Sequence, residues 1–431
     1  MKEKLNRDFI INLSNKKGEP SWMTEFRLNS YEAFLKIENP TFGPKLDFSF
    51  DDLLYYKKTE EQKKNWQDVK KETYHTFCKL GVVDAEEKYL DGVSNQMESE
   101  VVYHHNITDK DIIFCSTDEA LRKYPKLFKK YFNILVKYDE NKYTALNGAV
   151  WSGGSFIYIP PNTKLDRPLQ SYFRIDTESL GQFERTIIIV DDNSELSYIE
   201  GCTAKSYSKS SLHAGVVEIF VGKNAKCRYS TIQNWSTDVY NLVTKRAIVD
   251  ESGLMEWVDG NIGSKVTMKY PSVILKGDYS CGNCISIAYA REGQVLDAGA
   301  KMIHLGAHTK SNIVNKSIAS LGGVSNYRGT TRIAASAKNS FASVKCDTIL
   351  LDNISKSDTF PKNIVENETS TLEHEASVSK VSTEKLFYLE SKGLSEERAK
   401  ELFIMGFIED FKKELPMEYA VELNRLLKEE L

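Results

Sequence analysis

Over residues 186–352 apolar positions recur with a period of two, in short runs that never lengthen into a helical repeat. TIIIV, ELSYIE, VVEIFV, AKCRYST, LMEWV, VTMKY, SVIL, KMIHL, TRIAA and SVKCDTILL each read as a β-strand. Ala225, Cys227, Tyr229 and Thr231 fall on one face of their run, with Lys226, Arg228 and Ser230 on the other. Ala342, Val344, Cys346, Thr348 and Leu350 likewise oppose Ser343, Lys345 and Asp347. Small polar turns begin at Asp191, Gly222, Asp250, Lys276, Gly306, Gly322 and Ala337. Those starts lie 31, 28, 26, 30, 16 and 15 residues apart, a repeat of whole coils and then half coils. No helical segment separates the strands, which argues against βαβ crossovers. A sandwich of about eight strands and a parallel β-solenoid remain, and the regular turn spacing favours the solenoid.

The flanks carry a different period. Residues 1–139 read as a mostly helical domain. Ser21 is placed as an N-cap, followed by the apolar stripe Trp22, Phe26, Ala33, Phe34 and Ile37, and Asn39-Pro40 ends that helix. Residues 51–80 predict a second, charged amphipathic helix, and residues 117–131 a third. Lys123, Lys126, Lys129 and Lys130 on the third read as a solvated face. The solenoid is expected over residues 140–365, with Gly153-Gly154 and Pro160-Pro161 marking turns before it. Residues 353–380 look rich in loops. A C-terminal helical domain is expected over residues 366–431, with helices over 383–392, over 395 to about 414, and from 417 onward. Leu402, Phe403, Phe407 and Phe411 give the middle one an apolar face wide enough to dock on something.

Composition narrows the class. The chain has 431 residues, 41% hydrophobic and 27% charged, as in an ordinary globular protein. A net charge of −4 gives no basic field for nucleic acid. No apolar run reaches the roughly 18 residues of a membrane helix, so no membrane partner is expected. The N-terminal residues lack an apolar signal core, and seven irregularly spaced cysteines suit a reducing compartment, so the expected location is cytoplasmic.

Candidate chemistry is sparse. GxxxxGK[ST] is absent, so the chain carries no Walker nucleotide site, and GxSxG and HExxH are absent too. Cys281 and Cys284, with His304 and His308, could form a zinc site, but a lone CxxC with a long gap is a weak pattern. From its pattern alone Cys346 reads as a small buried hydrophobe. Glu373, His374 and Glu375 place oxygen and nitrogen donors side by side, suited to iron, against a plain reading as an exposed polar loop. A carbohydrate-active β-helix enzyme would need an acidic catalytic row that the sequence does not display.

An ordered set of segments carries a family resemblance. WMTEFRLNSY, GQFERTIII, IEGCTA, LHAGVVE, YSTIQNW, KYPSVILKGD, KMIH, NYRG, CDTILL, TFP, EHEAS and ELPMEYAVE resemble the SufB/SufD family of the SUF iron–sulfur cluster assembly system. EHEA is similar to the SufB branch in particular. The resemblance spans almost the whole chain. It implies a right-handed parallel β-helix between helical regions, and an assembly scaffold rather than an enzyme. It implies pairing through the β-helix with SufD or a second SufB-like chain, docking of the ABC-type ATPase SufC on the C-terminal helices, and sulfur from a cysteine desulfurase system. Cys346 falls where the family's sulfur-accepting, cluster-anchoring cysteine lies, and Glu373, His374 and Glu375 match its cluster-forming segment. The cluster it implies is transient and labile, and some family complexes also bind reduced flavin. The alternative within the family is a SufD-like structural subunit that organises the complex without building a cluster. Many members carry a cysteine after the stretch that here reads VTKRAI, where this chain has Val249. Cys227, flanked by Lys226 and Arg228, is the first candidate relay in its place, ahead of direct delivery to Cys346, with Cys202 a further candidate.

Overall fold

The computed structural model describes residues 4–105, 107, 111–381 and 383–413. It is a mainly β molecule, a solenoid of about eight turns with helices at both ends. One sheet of the solenoid runs through Leu169–Ile175, Glu195–Ala204, Lys226–Trp235, Leu254–Gly263, Cys281–Ala290, Lys310–Ala319, Phe341–Leu350 and Thr371–Lys380. Every neighbouring pair in that series is parallel. The hairpin Gly92–Met97 with Glu100–His105 starts the sheet. The opposite sheet runs through Ser155–Ile159, Arg185–Val190, Val216–Val221 and Val239–Val249. Its next strand is broken at Pro271, which has no N–H to give the ladder, into Val266–Lys269 and Ser272–Leu275. Val295–Ala298 and Lys301–His304 repeat the break, and Val324–Ile333 and Thr359–Val365 close the series.

The repeating turns build one corner. Asn193, Asn224, Ser252, Tyr279, His308 and Asn339 each take a positive φ, one per coil. The first five donate backbone N–H groups to the next coil at 2.8–2.9 Å, from Asn193 to Lys223 through to His308 to Lys338. Gly322 belongs to a different corner, which is why the turn spacing halves there. Inward-facing residues from both sheets, among them Tyr198, Tyr229, Trp257, Met302 and Val344, form the main core.

The N-terminal region departs from expectation. Helices Arg7–Lys16, Ser21–Lys36 and Lys142–Val150 are present, with Ser21 the first helical residue and Pro20 at the cap. The long helix expected over residues 51–80 is reduced to Lys71–Lys79. The stretch before it runs along the solenoid, where Leu54 donates to Ser179 at 2.8 Å and Leu53 and Tyr55 are buried. Sheet contacts there outweigh helical propensity. The helix expected over 117–131 is two, Thr117–Lys123 and Pro125–Tyr131, because Pro125 can start a helix but not continue one.

The C-terminal end also needs correction. Residues 353–380 are not loop-rich: Thr359–Val365 and Thr371–Lys380 extend the two sheets, so the coils run past residue 365, to Lys380. Helices Thr383–Ser391, Glu396–Phe407 and Glu409–Lys413 follow, with the Ser395 side chain capping the second. The helix expected from 417 lies outside the described residues. Ile404, Ile408 and Phe411 are buried against Ile232, Val258, Ile262 and Ile318 on the outer face of the first sheet. Of the apolar helix face noted in the sequence, Phe407 and Phe411 therefore dock on the chain's own solenoid, while Leu402 stays exposed.

Candidate functional site

Cys346 sits inside the solenoid near its last coil. The alternation of Phe341–Leu350 turns Ala342, Val344, Cys346 and Thr348 inward, and Cys346 is 3% exposed. In the final strand, register pairs Val344 with His374 and Cys346 with Ala376. His374 thus shares the interior side with Cys346, two positions away along the ladder. Glu373 and Glu375 pair with Ser343 and Lys345 and point outward, where Glu375 lies 3.8 Å from the Lys345 ammonium. The three adjacent donors seen in the sequence are split by the pleat, and only His374 joins Cys346. Its Nδ1 is 3.0 Å from the Asn363 amide nitrogen, while Nε2 is buried with no partner among the described residues.

The strand register also brings together residues that the sequence reading passed over. Ser171, Glu200, Thr231, Asp259, Ser286 and Asn315 occupy successive matched positions that end at Cys346. A parallel file two positions along runs Cys202, Gln233, Asn261, Ala288, Ser317 and Thr348. From the opposite sheet Lys245 reaches in to Thr231 at 3.0 Å and Glu200 at 3.4 Å, and Lys269 to Asp259 at 3.0 Å and Gln233 at 3.3 Å. Ser286 donates to Asn315 at 2.7 Å, carrying the polar line one coil closer to Cys346. All four charged groups are buried. Burial works against the Asp259 carboxylate, but Lys269 and Lys245 outweigh it and hold its pKa below the ordinary value. The signal for this interior was available, since Asp259 and Lys245 stand at inward positions of alternating runs.

Burial decides the thiols. It pushes the Cys346 thiol up to about 12, with the Tyr327 hydroxyl pulling the other way and Asp347 adding to the rise. Burial raises Cys202 as well, helped by Glu200 and Glu184 and opposed by Lys245 and Lys269. Cys227 is raised by burial and by Glu256, and its neighbours in adjacent coils are Leu196 and Met255. Lys226 and Arg228 stand on the opposite face, so their charge does not line its pocket. Val249 is fully buried in the main core. Cys281 and Cys284, three apart on one strand, face opposite ways. His304 is tied to Thr309 and Ser311 at 2.8 Å each, and His308 stacks on Tyr279 at a corner. The zinc set therefore does not assemble, and among the described residues no three His, Cys, Asp or Glu side chains converge as a metal site.

The fold and this interior define a class: a β-solenoid with a thiol and an imidazole on the interior side of its last strands, in line with a file of buried charges. The chain belongs to the SufBD family of SUF iron–sulfur cluster assembly proteins. The model of the SUF system FeS cluster assembly SufBD core domain matches residues 173–407, and that of the SufBD protein N-terminal region matches residues 16–171. The chain is 56% identical over 432 residues to the iron-sulfur cluster assembly SufBD family protein of Staphylococcus saprophyticus, covering 99% of this chain and 93% of that one. Identity and coverage are the same for the SufBD family protein of Staphylococcus aureus strain MRSA252. Among the described residues no helix is long and apolar enough to cross a membrane.

Proposed function

We propose that this chain is a SufB-type scaffold on which iron–sulfur clusters are built, with Cys346 as sulfur acceptor and cluster ligand. The observation that carries the reading is that Cys346 and His374 share the interior side of adjacent strands two positions apart, with His374 Nε2 buried and without a partner among the described residues. A thiolate at Cys346 attacks the outer sulfur of a donor persulfide. That sulfur–sulfur bond breaks, the donor cysteine leaves as a thiolate and takes the proton, and Cys346 keeps the persulfide. One thiolate and one imidazole hold a cluster less tightly than four thiolates, which suits release. Glu373 and Glu375, on the outer face, would act on iron arriving from solvent or on the partner chain.

Cys202 is the better relay than Cys227. It opens a file, polar except at Ala288 and five coil steps long, that ends at Thr348, two positions from Cys346, a path of about 24 Å at the usual strand spacing. The interior route offers charged and amide groups to a persulfide, whereas Cys227 has apolar neighbours. The edge of Thr371–Lys380, which pairs with no further strand among the described residues, suits pairing with SufD or a second SufB-like chain. Exposed Phe387, Tyr388 and Leu402 on the C-terminal helices suit docking of the SufC ATPase. Phe387→Glu with Tyr388→Lys should abolish that docking in a pull-down without unfolding the solenoid.

The burial that raises the Cys346 thiol favours a second reading, a SufD-like subunit that organises the complex and builds nothing. Anaerobic reconstitution with iron and sulfide separates the two. A brown, cluster-bearing chain that loses its colour in Cys346→Ala supports the scaffold; a colourless wild-type chain in complex with its partners leaves the structural subunit.

A further inference from the structure

A cavity of about 380 Å³ opens on the outer side of the second sheet, and neither Cys346 nor His374 lines it. It forms where the strand break at Pro271 takes Tyr270 out of the ladder. Ile37, Phe42, Leu242 and Met268 supply apolar walls, and the Tyr270 ring lies 6.2 Å from that of Phe42. Tyr270 is held in place by its hydroxyl, which donates to Asp297 at 2.7 Å. Two cations enter from the sheet. Arg246 and Lys301 stand two strands apart at one level of the register, with Ser272 between them. Their neighbours Ala247 and Met302 lie in the core, so both cations point outward, and the short Ser272 leaves the space between them open.

The two cations differ in what they hold. Arg246 is satisfied: it donates to both Glu140 carboxylate oxygens at 2.6 and 2.7 Å and to the Leu135 carbonyl at 2.7 Å. Lys301 is half-buried and forms no salt bridge or side-chain hydrogen bond among the described residues; its ammonium stands 5.7 Å from the centre of the Tyr270 ring. The other carboxylate on the lining, Glu38, is exposed and makes no ion pair with it. Burial works against charge on Lys301, Arg246 adds to that, and Glu140 opposes both without cancelling them, so its pKa falls below the ordinary value. A part-buried ammonium without a counter-charge is costly, and an anion brought from outside relieves that cost. The volume lies within the roughly 300–1,000 Å³ of small-molecule sites, and the groups nearest the ammonium are aromatic.

We propose that this cavity binds a small organic anion with a flat ring, its carboxylate or phosphate head on the Lys301 ammonium and its ring against Tyr270 and Phe42. The site goes beyond the scaffold reading and does not depend on Cys346. The test follows fluorine NMR of para-fluorobenzoate and para-fluorophenyl phosphate added to the full chain, with para-fluorobenzyl alcohol as the neutral probe. Wild type should broaden the line of at least one anion and leave the alcohol sharp; the anion that responds names the head group. Lys301→Gln should weaken that binding about tenfold, the loss of one charge-assisted contact, and Lys301→Arg should retain it. Thr244→Phe, which places a ring in the cavity and leaves Lys301 untouched, should abolish binding. Lys362→Gln, on an exposed lysine two strands beyond Lys301, should change nothing. Because Lys301→Gln removes an uncompensated charge, it should melt no lower than wild type. Equal broadening of the neutral probe, no broadening of either anion, or unchanged affinity in Lys301→Gln overturns the proposal. A lower melting temperature in that variant overturns it as well, since the ammonium would then be satisfied within the free chain.

Discussion

Lys226–Trp235 and Thr371–Lys380 are strands of one sheet with the same pleat and opposite surroundings. In the first, Cys227, Tyr229, Thr231 and most of their neighbours are buried. In the second, Leu372 and His374 are half-buried and the rest is exposed. Every coil of a solenoid is covered by its neighbours, and the last has a neighbour on one side only. The final strand answers with Glu373, Glu375, Ser377 and Lys380, polar residues that keep an open edge from pairing at random. The interior of the middle coils can thus hold charges only in closed networks, whereas the interior of the last coil reaches the surface. Cys346 lies one coil beneath that boundary.

This contrast predicts unequal costs. Lys245→Met should be the most damaging change, because it leaves the buried Glu200 without its cation and Asp259 with Lys269 alone. A loss of about 3–5 kcal/mol in denaturant unfolding is expected; a loss below ~1 kcal/mol would mean that the middle interior is wet and the contrast is false. Cys346→Ala should cost about 1–2 kcal/mol, a small cavity near an end that can relax, while cluster formation is abolished. Full cluster yield from this variant would remove Cys346 from the site.

The buried pair of His213 and Glu184 sharpens the comparison through pH. His213 Nε2 is 2.7 Å from Glu184 and Nδ1 is 2.8 Å from the Asn241 side-chain oxygen, so both ring nitrogens face acceptors. Burial opposes charge on the ring, but Glu184, Asn241 and the more distant Glu200 outweigh it and raise the pKa above the ordinary 6.5. The folded state then holds the proton more tightly than the unfolded one. That stabilisation is complete below about 6.5 and is lost as pH rises through the raised folded value. Wild type should lose stability over that rise and His213→Gln should not; equal slopes in the two would show that the ring folds neutral. The smallest effect is expected at the open end. Glu373→Gln and Glu375→Gln should each change stability by less than ~0.5 kcal/mol, as exposed carboxylates do, and any loss of cluster yield they cause is then chemical rather than structural.

The period-two runs determined a β-strand domain, and the spacing of the polar turns favoured a solenoid over a sandwich, because alternation and turn chemistry are local properties. They also determined which side of Phe341–Leu350 carries Cys346. Three things were decided only by tertiary structure. Residues 53–65 lie along the solenoid rather than forming a helix, since contacts to Ser179 and Tyr103 outweigh their charged, helix-like pattern. Glu373, His374 and Glu375 look like one ligand group in sequence, yet pleating sends His374 inward and the two carboxylates outward. The polar file from Cys202 toward Cys346 joins residues about 30 apart in sequence at each step, a juxtaposition set by the register between coils. Local pattern places a residue on a face. Only the stacking of coils says which residue from the next turn will meet it there.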